Sequence, residues 1–260
     1  WAFTLTDGAL RMLVVLYFHQ LGYGALEIAS LFILYEFFGM ITNLFGGWLA
    51  AHKGLNLTLK LGLLIQIIAL LMLLSPPSLL TIAYVMLVQA LSGIAKDLSK
   101  MSAKSSIKVL IPDDAQSKLY HWIALLTGSK NALKGIGFFL GAALLGFIGF
   151  QGAIIFMVIM LSLALIFSLH LLQNELGTRP FKAKFKTLFS KSSQINRLSA
   201  ARLFLFGARD IWFVVALPVY LQAHLAWSHL EVGTLLAIWI IIYGLVQSIS
   251  PKITRATSQK

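Results

Sequence analysis

Cysteine is absent from the 260 residues, which excludes disulfides, thiolate metal sites and cysteine nucleophiles from this stretch. Charge is scarce as well. Only 12% of the residues are Asp, Glu, Lys or Arg, with 9 acidic against 21 basic, whereas a soluble domain carries about a quarter of its residues charged. An ordinary water-soluble enzyme is therefore excluded. No P-loop or Gly-rich nucleotide fingerprint occurs, so coupling to ATP has no support. No His or Cys cluster at ligand spacing is found, and neither a metal nor a cofactor is assigned. The residues at hand also show no charged segment followed by a short apolar core and a cleavage site, so no signal peptide is read. What is present is apolar sequence: 58% of the residues are hydrophobic and the mean hydropathy is +0.85. Several runs exceed the ~20 residues that cross a hydrocarbon core of ~30 Å. The pattern predicts a polytopic, all-α membrane protein.

Hydropathy, punctuated by Gly, Pro and charge, predicts eight spans at 2–20, 26–50, 57–75, 79–108, 119–148, 152–172, 198–222 and 230–250. Basic residues gather in alternate connections. His52, Lys53 and Lys60 mark the second; Arg179, Lys182, Lys184, Lys186, Lys191 and Arg197 mark the sixth, against Glu175 alone. Pro76 with Pro77, and Phe150-Gln151-Gly152, make neutral breaks on the opposite side. The positive-inside rule then puts the even-numbered connections in the cytoplasm. The expected organisation is six helices in 1–172, a basic cytoplasmic linker at 173–197, and two helices in 198–260. Within that linker FKAKFKTLFSKSS alternates Phe with Lys, which suits either a solvated connection or a segment pressed on anionic lipid. The net charge of +12 divides between loops and spans rather than forming a soluble patch, so no nucleic-acid partner is expected. Trp1 and Lys260 both border apolar runs, and the chain reads as a piece of a longer protein.

Six spans, a basic linker and further spans form the layout of a major facilitator transporter, here with eight of an expected twelve helices. Between its second and third helices that superfamily carries G-x-L-A-D-R-x-G-R-R. Gly47, Leu49, Ala50 and Gly54 match it, while Ala51 replaces the acid and His52, Leu55 and Asn56 replace basic positions. The turn is kept and the charge relay is lost. Gly128, Gly137, Gly141 and Gly146 echo the glycine motif of drug/proton antiporters, with Ala142 and Leu145 in place of Pro and Gly; small residues also simply let helices pack closely. The stretches WAFTLTDGALRMLVV, YEFFG, QALSGIAKDLSKMSAKSSIK, LLTGSKNALKGIGFFLGAALL and FGARDIWFVVALPVYL resemble the ArsJ-type organoarsenical efflux permeases. That resemblance runs through nearly the whole chain. It implies export of 1-arseno-3-phosphoglycerate, arsenate resistance, and a functional link to glyceraldehyde-3-phosphate dehydrogenase, which makes that compound. A bacterial inner membrane is the implied location.

An ionised side chain inside a span costs several kcal/mol unless it is paired or faces water, so each is a functional candidate. Arg11 falls about 15 Å from the outer end of the first span, Lys130 about 18 Å from the inner end of the fifth and Arg209 about 20 Å from the outer end of the seventh. Lys134 is one turn beyond Lys130, and these four cations are expected to cluster near the bilayer centre. Lys96, Lys100, Lys104 and Lys108 repeat every four residues along one helix face. Lys104 and Lys108 suit the interface, whereas Lys96 and Lys100 suit an inner vestibule that attracts anions. Spans three and six have uncharged interiors at 61–74 and 153–169, as the superfamily's lipid-facing third and sixth helices would.

Asp7 and Arg11 form an i, i+4 pair, Asp97 precedes Lys100 by three residues, and Asp210 neighbours Arg209 but points about 100° away. Glu36 has no cation near it in sequence. A coupling or gating role falls first to Glu36 and then to Asp7, with an interhelical salt bridge as the equal alternative for each acid. Asn43, Ser129 and Asn131 are polar companions; Tyr120, His121 and Trp122 read as interfacial anchors. The candidate substrate site is thus Arg11, Lys96, Lys100, Lys130, Lys134 and Arg209, taking a small anion. An exchanger of organic phosphate for phosphate would use the same residues. A membrane-embedded enzyme acting on phosphorylated substrates is the third reading, against which no nucleophile with a placed base is found.

Overall fold

A computed structural model describes residues 1–111, 116–172 and 192–258. Among these, the chain forms helices α1 Ala2–Gln20, α2 Ala25–Ser30, α3 Ile33–Lys53, α4 Leu55–Met72, α5 Ile82–Leu110, α6 Gln116–Leu171, α7 Ser193–Arg209, α8 Leu217–Leu225 and α9 His229–Ser258, with no strand. A short 3-10 turn, Pro77–Leu79, follows the Pro76-Pro77 break, and a π-helical segment, Asp210–Ala216, separates α7 from α8.

Among the described residues, five helical stretches are long and apolar enough to cross a membrane: Ala25–Asn43, Leu55–Met72, Ile82–Leu110, Lys118–Leu171 and His229–Ile249. The fourth is 54 residues long, which at ~1.5 Å per residue is more than twice the ~30 Å core and so supplies two crossings. It is two helices meeting at Gly149, whose φ of 71° and ψ of −179° lie in a region that only glycine enters readily. A separate break at Phe150-Gln151-Gly152 was expected; instead helix continues through those residues, because Gly149 alone supplies the change of direction. Phe150 is held there by stacking on Tyr17 at 4.0 Å.

The remaining expected crossings owe less to composition. Helix α1 carries Asp7 and Arg11 yet is buried along nearly its whole length, as befits a helix surrounded by others. The seventh span runs from α7 through the π segment to α8. Pro218 sits in the first turn of α8; it lacks an N–H to donate, and the helix widens just before it. Helix α7 starts at Ser193, so helix begins inside the expected linker, of which residues 173–191 lie outside those described. The expected connection at 112–118 is likewise undescribed over 112–115, with α6 starting at Gln116.

Helix α6 packs on α1, α4 and α9, and α5 packs on α3 and α4. The glycines of α6 explain its two closest seams. A methyl on Gly137 would collide with the Leu5 carbonyl and lie 3.0 Å from the Ala9 nitrogen, one on Gly141 would meet the Ala9 backbone as closely, and one on Gly128 would lie 2.5 Å from the Gly244 carbonyl of α9. Gly146 has nothing within 4 Å. Three of the four motif glycines therefore serve helix packing. Apolar rows face outward where lipid was expected: Leu64, Ile68 and Leu71 on α4, and Ile155, Ile159, Leu163 and Ile166 on the second part of α6, are all exposed.

Candidate functional site: a charge network around Tyr35

Helices α1, α3 and α5 converge on one buried residue, Tyr35. Gly93 of α5 abuts the Tyr35 backbone, and Gly39 leaves room for Asp97, whose Oδ2 would stand 2.5 Å from a methyl there. This close approach brings charges from three helices to one ring. Tyr35 is 1% exposed, and its hydroxyl donates to Asp7 Oδ1 on α1. Arg11 Cζ lies 4.4 Å from the ring centroid and Lys96 Nζ lies 4.0 Å from it, both within cation–π range.

The carboxylate of Glu36 bridges the same two cations. Its Oε1 accepts from Arg11 Nη2 and its Oε2 from Lys96 Nζ at 3.2 Å. Asp97 continues the network, with Oδ2 3.9 Å from Lys96 Nζ and Oδ1 3.5 Å from Lys100 Nζ. Three cations thus meet two carboxylates, and a third, Asp7, is held through the Tyr35 hydroxyl, which offsets a desolvation penalty of several kcal/mol per buried ion. Burial is graded across the group. The side chains of Arg11 and Asp97 are each 4% exposed and Lys96 19%, whereas Glu36 is 46% and Lys100 50% exposed.

The six expected substrate residues therefore fall into different company. Arg11 joins Lys96 through Glu36, and Lys100 joins them through Asp97. Lys130, partly buried on α6, lies within electrostatic reach of Lys100 and Lys104. Lys134, one turn on, has its Nζ 5.6 Å from the Phe138 ring. Arg209 is exposed at the last residue of α7, where the helix passes into the π segment. The side chain of Asp210 lies outside the described residues. Of the expected acid–base pairs, Asp97 with Lys100 is present, and the isolated Glu36 acquires its cations from α1 and α5.

The polar companions divide similarly. Asn131 donates to Gln247 Oε1 across the α6–α9 seam, and Gln247 donates to the Tyr243 hydroxyl at 2.9 Å. Ser129 accepts from the Trp1 indole at 3.3 Å, while Asn43 is exposed on α3. Tyr120, His121 and Trp122 are exposed at the start of α6, as interfacial anchors would be. Tyr35 and Gln247 were not among the expected functional residues. In sequence Tyr35 is one aromatic in an apolar run, and only the folded arrangement of the helices sets Asp7 of α1 opposite it.

A comparison with curated proteins gave no match. A sequence model of the family described as Major Facilitator Superfamily matches residues 1–259. Apolar helices that cross the bilayer repeatedly, with charged side chains gathered where several of them converge, agree with that match. The chain is a multi-pass membrane protein and belongs to the Major Facilitator Superfamily of membrane transporters.

Proposed function

We propose that the protein exports a small, multiply charged organic anion through a cavity lined with Lys and Arg. The cargo best suited to the resemblance is 1-arseno-3-phosphoglycerate, and arsenate resistance is the outcome. The observation that carries the reading is the set of cations drawn from three helices, Arg11 of α1, Lys96 and Lys100 of α5 and Lys130 of α6, the last in electrostatic reach of Lys100 and Lys104. Among the described residues no carboxylate lies within ion-pair distance of Lys130. Like charges so grouped within spans repel one another, and a bound anion with two charged ends relieves that repulsion.

On this reading residues 1–172 and 198–260 belong to two halves that rock about the site, joined by a cytoplasmic connection at 173–197. The protein works in a bacterial inner membrane beside the dehydrogenase that makes its cargo.

Everted vesicles bearing the full-length protein test it. With glyceraldehyde-3-phosphate dehydrogenase, its substrates and arsenate outside, arsenic should accumulate in the vesicle lumen. Lys130→Gln removes a charge-assisted contact worth ~1.5–3 kcal/mol and should lower uptake about tenfold or more. Uptake that is absent in the wild type, or unchanged in Lys130→Gln at equal expression, refutes the assignment. Uptake that demands phosphate inside the vesicles identifies an exchanger.

A further inference from the structure

The bridge at Glu36 has the geometry of an occupied anion site. Its two oxygens are divided between cations from different helices, Arg11 of α1 and Lys96 of α5. Both cations rest on the one Tyr35 ring, which is tied in turn to Asp7. The fork is thus fixed by burial and by a shared aromatic platform. Its occupant is not: the Glu36 side chain is 46% exposed, against 4% for Arg11 and 19% for Lys96. A phosphate, an arsenate ester or a carboxylate presents oxygens at similar separation, and an Arg with a Lys is suited to receive them.

We propose that Arg11 and Lys96 form an oxyanion seat, that Glu36 is its resident counter-ion, and that a substrate oxyanion takes the seat by displacing the Glu36 carboxylate. This rests on the reading of the protein as an anion transporter, and adds where one end of the anion docks and which group gives way. Among the described residues, the charges next in the network are Asp7, which accepts from the Tyr35 hydroxyl, and Asp97 with Lys100 on α5. Lys60, the only charged residue of α4, donates to the Leu172 carbonyl instead. Lys100, half exposed beside Asp97 and linked through it to Lys96, is the cation set to meet a second charged end of the same molecule, with Lys130 in electrostatic reach of Lys100. A lone phosphate engages the seat; a molecule with two anionic ends engages both groups.

An internal competitor weakens apparent affinity by the fraction of time for which it leaves the seat open. If Glu36 vacates it for ~1–10% of the time, Glu36→Gln tightens binding about 10- to 100-fold. The test is calorimetric titration of the full-length protein in lipid nanodiscs with sulfate and, separately, with 3-phosphoglycerate. Wild type should bind both weakly, Glu36→Gln should bind both more tightly, and Lys96→Gln should lose at least about tenfold. The Glu36→Gln/Lys96→Gln double variant should lose the gain. A Glu36→Gln protein that folds, as judged by its melting curve, and binds no tighter than wild type overturns the inference while leaving the transporter reading intact. Failure of wild type and every folded variant to bind either probe overturns both. Should Glu36→Gln not fold, Glu36→Asp keeps the charge but shortens its reach, and unchanged affinity in that variant also overturns the inference. A purely structural salt bridge predicts lower stability with no tightening in any variant.

Discussion

Replacing Tyr35 with Phe removes one oxygen from the charge network and keeps its ring. The hydroxyl donates to Asp7, a carboxylate only 7% exposed, and a hydrogen bond to a charged group contributes ~1.5–3 kcal/mol. The ring contacts to Arg11 at 4.4 Å and Lys96 at 4.0 Å survive in Phe, each contributing ~0.5–2 kcal/mol. Tyr35→Phe should therefore cost about 2 kcal/mol, and Tyr35→Leu, which also forfeits both ring contacts, about 4 kcal/mol. At ~2–4 °C per kcal/mol for a chain of this size, the melting temperature falls by about 4–8 °C in the first case and roughly twice that in the second. Thermal melts of the detergent-purified protein, followed by size-exclusion fluorescence, measure both. A third protein sharpens the comparison. Asp7→Asn in the Tyr35→Phe background should cost less than in the wild type, because the two residues share one bond. Equal melting of Tyr35→Phe and wild type refutes the hydroxyl's role, and equal losses in Phe and Leu refute that of the ring.

The packing seams supply further tests. Gly137→Leu places a side chain against the Leu5 and Ala9 backbone and should abolish recovery of folded protein; Gly146→Ala, with nothing within 4 Å, should leave the yield and melting temperature unchanged or slightly raised. Asn131→Leu and Gln247→Leu each break the α6–α9 hydrogen bond and should lower stability by about 0.6–2 kcal/mol. Their double variant should cost little more than the worse single one, as the same melts will show.

Crossings are legible in a sequence of this kind because lipid imposes a length and a composition on each one separately. The third span, expected at 57–75, is the helix Leu55–Met72, and the eighth, expected at 230–250, begins at His229. What escapes is whatever depends on a neighbour. Pro218 is visible in the chain, but the widening of the helix over 210–216 is a property of the folded backbone. The pairing of Asp97 with Lys100 follows from their spacing on one helix and is found at 3.5 Å. By contrast, the partners of Glu36 sit 25 residues before it and 60 after it, beyond any local rule. Tyr35 is harder still, since its role comes from the charges placed on either side of its ring by other helices.

The joint at Gly149 bears on how such a molecule moves. Two crossings meet there at a single residue, with no length of loop to absorb a change of angle. The first carries Lys130 and Lys134 and the seams to α1 and α9; the second presents Ile155, Ile159, Leu163 and Ile166 outward. Any change in the angle between them falls on that one residue, as on the pin of an elbow. A bilayer that thins or thickens around the outer arm is therefore felt by the inner arm, with Lys130 and Lys134, through the backbone of that one glycine.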